Sequence, residues 1–167
     1  MNLAHEFCHV IEDTMFSLSY ADSETIYELF ARWQLMNPEG FQYAYVYTNE
    51  DGSTISWYDS YLGMAYYEGG EMALSDVYFV DGYATTYPKE DRARIFEYMF
   101  ACANDLPAYF ASPHIQEKAG YMFLCMRECF ETLRQCDDIV WEKGLTVQHD
   151  MQWYRDNYSD WESLAMG

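Results

Sequence analysis

The apolar residues of the first segment recur with the period of a helix. Between Asn2 and about Ser19 they stand three and four positions apart: Leu3, Phe7, Val10, Ile11, Met15 and Leu18. This spacing predicts an amphipathic helix, for which Asn2 is a suitable N-cap. Similar spacing predicts a second helix from about 22 to 36, which ends at the turn formed by residues 37–40. The two helices would form a hairpin.

A different pattern occupies residues 41–87. Residues 41–47 alternate with period two, which predicts a strand, and residues 49–52 are typical of a turn. We expect residues 53–58 to pair back with that strand. The apolar run at 77–80 is compatible with a short strand or with a loop.

The helical period returns after Pro88. Pro88 suits the first turn of a helix, and the acids Glu90 and Asp91 suit its positive end. We expect this helix to run to about Ala103 and to bury Ile95, Met99 and Cys102. Ser112 and Pro113 open another long helix, to about Cys136, and a last helix is expected near 147–158. Helices thus dominate the predicted α+β fold.

The composition limits the classes of protein to which the chain can belong. Its 167 residues correspond to one domain, 1–167, which is large enough to fold without a disulfide or a structural metal. Nine Lys and Arg against 28 Asp and Glu give a formal net charge of −19, which repels nucleic acids and anionic membranes. No apolar run approaches the length of a membrane span. We therefore expect neither a nucleic-acid nor a membrane partner.

The cysteines and the N-terminal residues bear on the compartment. Five cysteines without C-x-x-C spacing predict reduced thiols inside a cell. The chain as written has no signal peptide, which predicts a cytoplasmic protein. Export is the alternative if a preceding segment carries a signal.

The clearest chemical motif is His5-Glu6-Phe7-Cys8-His9, an H-E-x-x-H. Residues four apart lie on one face of a helix, so two imidazoles can bind one zinc ion. Glu6, beside the first imidazole, can act as general base and then general acid towards a zinc-activated water. The motif predicts a zinc-dependent hydrolase.

A catalytic zinc site needs a third protein ligand, and the motif alone does not supply it. The extended pattern with a third histidine is absent, because Glu12 and Met15 occupy its glycine and histidine positions. The candidates that remain are a distant histidine, His114 or His149, or a carboxylate. Carboxylates are abundant in the chain, so composition alone does not choose among them.

The segment 81–96 resembles the gluzincin metallopeptidases. The residues that carry the resemblance are Tyr83, Glu90, Ala93 and Phe96, together with the H-E-x-x-H helix. The similar group is that of the anthrax lethal factor catalytic domain and related bacterial zinc peptidases, over about residues 2–135. The resemblance implies a zincin-like fold in which an active-site helix packs on a second ligand helix, with a small irregular β segment. It implies that His5, His9 and Glu90 bind Zn²⁺, and that Tyr83 stabilises the oxyanion.

The chain departs from the gluzincin pattern in two places. Many gluzincins have an acid four residues after the ligand glutamate, where this chain has Arg94, which we expect to pair with a nearby acid. Glu12 and Asp13 are then the candidates to orient a ligand imidazole, and Asp91 is the alternative ligand to Glu90. The sheet that normally precedes the active-site helix is missing unless residues 41–80 rebuild one. Otherwise we expect either a C-terminal portion of a longer protein or a reduced zincin.

The sequence therefore predicts a zinc metallopeptidase that cleaves peptide bonds, and its acidic charge favours basic peptides as substrates. A non-catalytic zincin-like module that binds metal or another protein is the competing hypothesis. A third is a metal-free polyanion mimic that blocks a basic partner.

Overall fold

The structure, a computed structural model, describes residues 3–18, 31–43, 46–48, 50–56 and 73–159. Over these residues the chain is mainly helical, with one β-hairpin. The elements in chain order are α1 (Leu3–Leu18), β1 (Val46–Thr48), β2 (Thr54–Ser56), α2 (Pro88–Ala101), α3 (Pro113–Cys129), α4 (Glu131–Arg134) and α5 (Met151–Asn157). Residues 31–35 are helical, and 3-10 turns occupy Leu74–Asp76, Tyr83–Thr85, Ala108–Ala111 and Val140–Glu142.

Helix α1 forms where the apolar period predicts it, but its buried face is partly polar. The buried residues are Ala4, His5, Cys8, Glu12 and Met15, whereas Leu3, Phe7 and Val10 are exposed. This face packs against α2, and Glu12 crosses to bind the buried guanidinium of Arg92. Burial of polar groups at a helix interface requires such partners.

Helix α2 lies between α1 and α3 and carries residues into both contacts. It begins after the extended Tyr87, with Pro88 at its first position, as predicted. Ile95 and Met99 are buried, which confirms the expectation for them. The helix ends at Ala101, and Cys102 follows it only partly buried.

The prediction of one helix from Ser112 to Cys136 is wrong at its C-terminal end. Helix α3 starts as expected, because the Ser112 hydroxyl accepts a hydrogen bond from the Ile115 amide. It stops at Cys129, since Phe130 has an extended backbone with φ −113° and ψ 110°. The guanidinium of Arg127 binds the carbonyl oxygens of Leu133 and Cys136 at 2.7 and 2.9 Å, which stabilises the turn that replaces the helix.

The remaining predicted elements agree with the structure in part. The β-hairpin is confirmed, with Tyr47 opposite Ile55 in an antiparallel pair, but residues 41–43 are not strand. Residues 77–80 form a loop, and the last helix is α5, which Asp150 caps. Asn2 and residues 22–30 of the second predicted helix lie outside the described residues. None of the helices in the described part of the chain has the length and apolar character that a membrane crossing requires.

Candidate metal centre

Helix α1 brings its two histidines together on the face that meets α2. The rings of His5 and His9 are 4.9 Å apart between centroids and nearly perpendicular, at 88°. His5 is buried, and the side chain of His9 is 24% exposed. This is the arrangement expected of residues four apart on a helix.

The first turn of α2 places Glu90 opposite both imidazoles. Its Oε2 lies 3.0 Å from Nε2 of His5 and 3.6 Å from Nε2 of His9. One donor atom from each of the three residues lies within 4.8 Å of the other two. Two imidazoles and a carboxylate, separated by more than 80 positions in the sequence, therefore converge on one point.

The distances from Glu90 to the two imidazoles are close to those between the ligands of a zinc ion. Zinc binds imidazole nitrogen and carboxylate oxygen at about 2.0–2.2 Å, so the ligand atoms of a tetrahedral site are about 3.3–3.6 Å apart. The distances from Glu90 to the two imidazoles, 3.0 and 3.6 Å, are close to that range. Two imidazole nitrogens and one carboxylate are also a common donor set for catalytic zinc. The residues present therefore fit the metal that the sequence predicts.

Tyr83 lies at the open side of this cluster. The 3-10 turn Tyr83–Thr85 packs on α2, and the Tyr83 ring is 6.1 Å from that of His5, with 47% of the residue exposed. Partial desolvation raises the pKa of the Tyr83 phenol, and a hydrogen bond to Glu90 and the negative charges of Glu90 and Glu6 raise it further. The phenol is thus protonated at neutral pH and close to the candidate metal ligands.

Glu6 lies on α1 between the two histidines in sequence, and its side chain is exposed. It therefore does not share the buried position of His5. Its negative charge is one of the smaller contributions to the raised pKa of Tyr83. Glu6 and Tyr83 are thus two exposed groups, of which Glu6 follows His5 on α1 and Tyr83 lies near the His5 ring.

A further carboxylate lies at this site that the sequence reasoning missed. Glu97, two turns beyond Glu90 on α2, has its Oε2 3.4 Å from Nδ1 of His5. Arg94 binds Glu97 and also donates to Oδ2 of Asp81, from Nε at 2.8 Å and from Nη2 at 2.5 Å. The expectation that Arg94 pairs with nearby acids agrees with these contacts. The signal for Glu97 was its heptad spacing from Glu90, which repeats a helix face.

Other candidate residues have different partners. Glu12, expected to orient an imidazole, instead binds Arg92, and Asp13 is exposed. The ring of His114 stacks on Tyr78, with centroids 3.7 Å apart, and that of His149 stacks on Trp153 at 3.5 Å. Neither of these histidines is among the three residues that converge.

Asp91, the alternative ligand, points away from the cluster into the core. Its Oδ2 accepts hydrogen bonds from Trp33 Nε1 at 3.0 Å, Tyr43 OH at 2.7 Å and Lys118 Nζ at 2.8 Å. Both Asp91 and Lys118 have fully buried side chains. The three donors around this carboxylate give Asp91 a structural role. Glu90 lacks these donors.

The cysteines do not contribute to the cluster. All five are free thiols. Cys8 is buried beside the site, and burial raises the pKa of its thiol well above the ordinary value, with the charges of Glu12 and Glu90 acting in the same direction. It behaves as a small core residue of α1.

Comparison of the chain with protein-family models, with curated proteins and with solved structures finds no match in any of the three. The functional argument therefore depends on the geometry of the cluster and on the chemistry of its residues.

Proposed function

We propose that the chain is a zinc-dependent hydrolase of the gluzincin type, which cleaves peptide bonds. The observation that carries this proposal is the convergence of His5, His9 and Glu90 within 4.8 Å of one another. Helices α1 and α2 are in this view the active-site helix and second ligand helix of a zincin-like fold. Two exposed groups, Glu6 beside His5 in α1 and Tyr83 near the His5 ring, support catalysis in addition to binding.

Glu6 is the proposed general base and acid. Zinc bound at the cluster would supply a Lewis acid that lowers the pKa of the attacking water towards neutrality. Glu6 is exposed and follows His5 directly on α1, so it can meet both solvent and substrate. It takes a proton from the attacking water and delivers it to the leaving amine.

Tyr83 is the proposed electrophilic donor. A phenol of ordinary pKa, about 10, is protonated at neutral pH, and the raised pKa of Tyr83 acts in the same direction. It donates a hydrogen bond to the carbonyl oxygen of the substrate as negative charge develops there. The phenol is accessible enough for that contact, since Tyr83 is 47% exposed.

The test compares peptide hydrolysis by the unaltered chain and by Glu6→Gln after zinc loading. We expect the unaltered chain to cleave members of a fluorogenic peptide mixture that includes basic sequences. Glu6→Gln should lower kcat by a factor of about 10²–10⁴ and leave the zinc content unchanged. Asp13→Asn, at another exposed acid of α1, is the matched control and should retain activity. Undiminished hydrolysis by Glu6→Gln would refute the mechanism.

A non-catalytic zincin-like binding module is the second candidate. It is favoured by the β structure of the described residues, which consists of one hairpin with three-residue strands. Peptidases commonly hold a substrate by adding it to a longer sheet edge. This candidate predicts that the unaltered chain binds zinc but turns over no peptide of the mixture.

A further inference from the structure

The His5 ring lies between two carboxylates of the same helix. Its Nε2 is 3.0 Å from Oε2 of Glu90, and its Nδ1 is 3.4 Å from Oε2 of Glu97. Glu90 and Glu97 are seven residues apart, so they occupy one face of α2, which packs on α1. Each ring nitrogen of His5 thus meets one acid.

The two ring nitrogens of a metal-binding histidine have different requirements. The nitrogen that binds the metal must present its lone pair, so the proton of the neutral ring must lie on the other nitrogen. An acceptor beside that second nitrogen fixes the tautomer and the ring orientation and makes the ligand more basic. If Nε2 of His5 binds zinc beside Glu90, Glu97 is the acceptor for its Nδ1 proton.

Glu97 is itself held in place by Arg94. One arm of the guanidinium binds Oε2 of Glu97, and Nε and Nη2 donate to Oδ2 of Asp81. Partial burial disfavours the charged guanidinium, but the carboxylates of Asp81 and Glu97 outweigh this and raise the pKa of Arg94 above its ordinary value. The cation is therefore permanent and anchors Glu97.

The same guanidinium is linked through Asp81 to the turn that carries Tyr83. Oδ1 of Asp81 accepts the Ala84 amide at 3.0 Å, within the 3-10 turn Tyr83–Thr85. Arg94 thus joins the acid beside His5 to the acid that stabilises the Tyr83 turn. The contacts therefore link the helix that carries Glu97 to the backbone of the turn that carries Tyr83.

We propose that Glu97, anchored by Arg94, is a positioning residue that orients His5 for binding zinc through Nε2. This inference rests on the proposed zinc site and deepens it. It assigns to Glu97 the role that Arg94 cannot fill at the fourth position after Glu90. Glu97 binds no metal itself and acts through His5.

The first test measures zinc affinity by competition with a chromophoric chelator. Glu97→Gln should weaken zinc binding by about 10-fold and Glu97→Ala by about 100-fold. The stoichiometry at saturation should not change. The amide retains an acceptor for Nδ1, so Gln should have the smaller effect. Glu12→Gln is the matched control, because Glu12 is a similarly buried acid that binds an arginine, Arg92. It should lower stability without changing zinc affinity.

The second test observes the His5 ring by NMR in the zinc-loaded chain. We expect a slowly exchanging Nδ1 proton resonance that is retained in Glu12→Gln and lost in Glu97→Ala. Equal zinc affinity in the unaltered chain and in both Glu97 variants would overturn the positioning role and leave the zinc site intact. Failure of the unaltered chain to bind zinc would overturn both proposals.

Discussion

Glu90 and Asp91 are consecutive acids in the first turn of α2, yet their carboxylates lie in opposite surroundings. Asp91 is fully buried in the core. Its Oδ2 accepts hydrogen bonds from Trp33, Tyr43 and the ammonium of Lys118. Glu90 faces the imidazoles of His5 and His9 on the side of α1.

The difference separates a structural carboxylate from a candidate ligand. The charge of Asp91 is paired with an internal cation, and both side chains are fully buried. Glu90 contacts two imidazoles, each of which can bind a metal ion or a proton. The cation near Glu90 is Lys89, whose ammonium is 3.9 Å away and whose side chain is 62% exposed. Burial alone therefore does not identify a site, since both acids are buried. The identity of the partners does.

The largest expected effect is on the Asp91 side of the comparison. Lys118→Met should lower the free energy of unfolding by about 3–5 kcal/mol, because it leaves the buried charge of Asp91 without its cation. Denaturant unfolding of the metal-free chain measures this. Lys143→Met is the matched control, since Lys143 pairs with Asp138 at the surface and such pairs contribute about 0–1 kcal/mol. Similar losses in both variants would show that the pair around Asp91 is not structural.

At Glu90 the expected effect is on the stability that zinc binding adds to the folded chain. Zinc at 100 times its dissociation constant should raise the free energy of unfolding of the unaltered chain by about 2.7 kcal/mol. Glu90→Gln should lose most of this increment at the same zinc concentration, because one of three ligands becomes an amide. Lys118→Met should keep the increment despite its lower stability. A zinc increment that persists in Glu90→Gln would contradict the assignment.

A smaller effect is expected at Tyr43, which donates to Asp91 at 2.7 Å. Tyr43→Phe should cost about 1.5 kcal/mol, the low end for a hydrogen bond to a charged acceptor, because Asp91 keeps its other two donors. Equilibrium unfolding at neutral pH measures the loss, and zinc affinity is the control that should not change. A drop in zinc affinity would place Tyr43 in the site.

The smallest effect is the pH dependence of the difference in stability between the unaltered chain and Tyr43→Phe. Burial raises the pKa of Tyr43 well above 10.0, and the charge of Asp91 raises it further. As the pH rises above about 10 the unfolded chain loses this proton while the folded chain keeps it, so stability falls. The advantage of the unaltered chain over Tyr43→Phe should therefore shrink between pH 9 and 11. A constant difference across that range would argue against the raised pKa.

The sequence predicted the parts of the site that local spacing determines. The H-E-x-x-H predicts two histidines on one helix face, and Pro88 predicts that Glu90 and Asp91 lie in a first turn; the structure agrees on both. Local spacing could not separate the two acids. The partners of Asp91 come from three remote segments, and only the folded chain places them around it.

Glu97 and the end of α3 show the same limit. Glu97 lies at a correct helical interval from Glu90, but its contact with His5 depends on how α1 and α2 pack. Residues 130–136 include no glycine or proline to end a helix, and the turn there depends on Arg127, which binds two of its carbonyl groups. Tertiary contacts of this kind override local propensity.

The central claim is that His5, His9 and Glu90 bind one metal ion. The most direct test is metal analysis by mass spectrometry of the purified chain after zinc loading and dialysis, beside His5→Ala, Glu90→Ala and the control His149→Ala. We predict about one zinc per chain in the unaltered protein and in His149→Ala, and loss of zinc in the other two. No zinc in the unaltered chain, or equal zinc in all four, would contradict the claim.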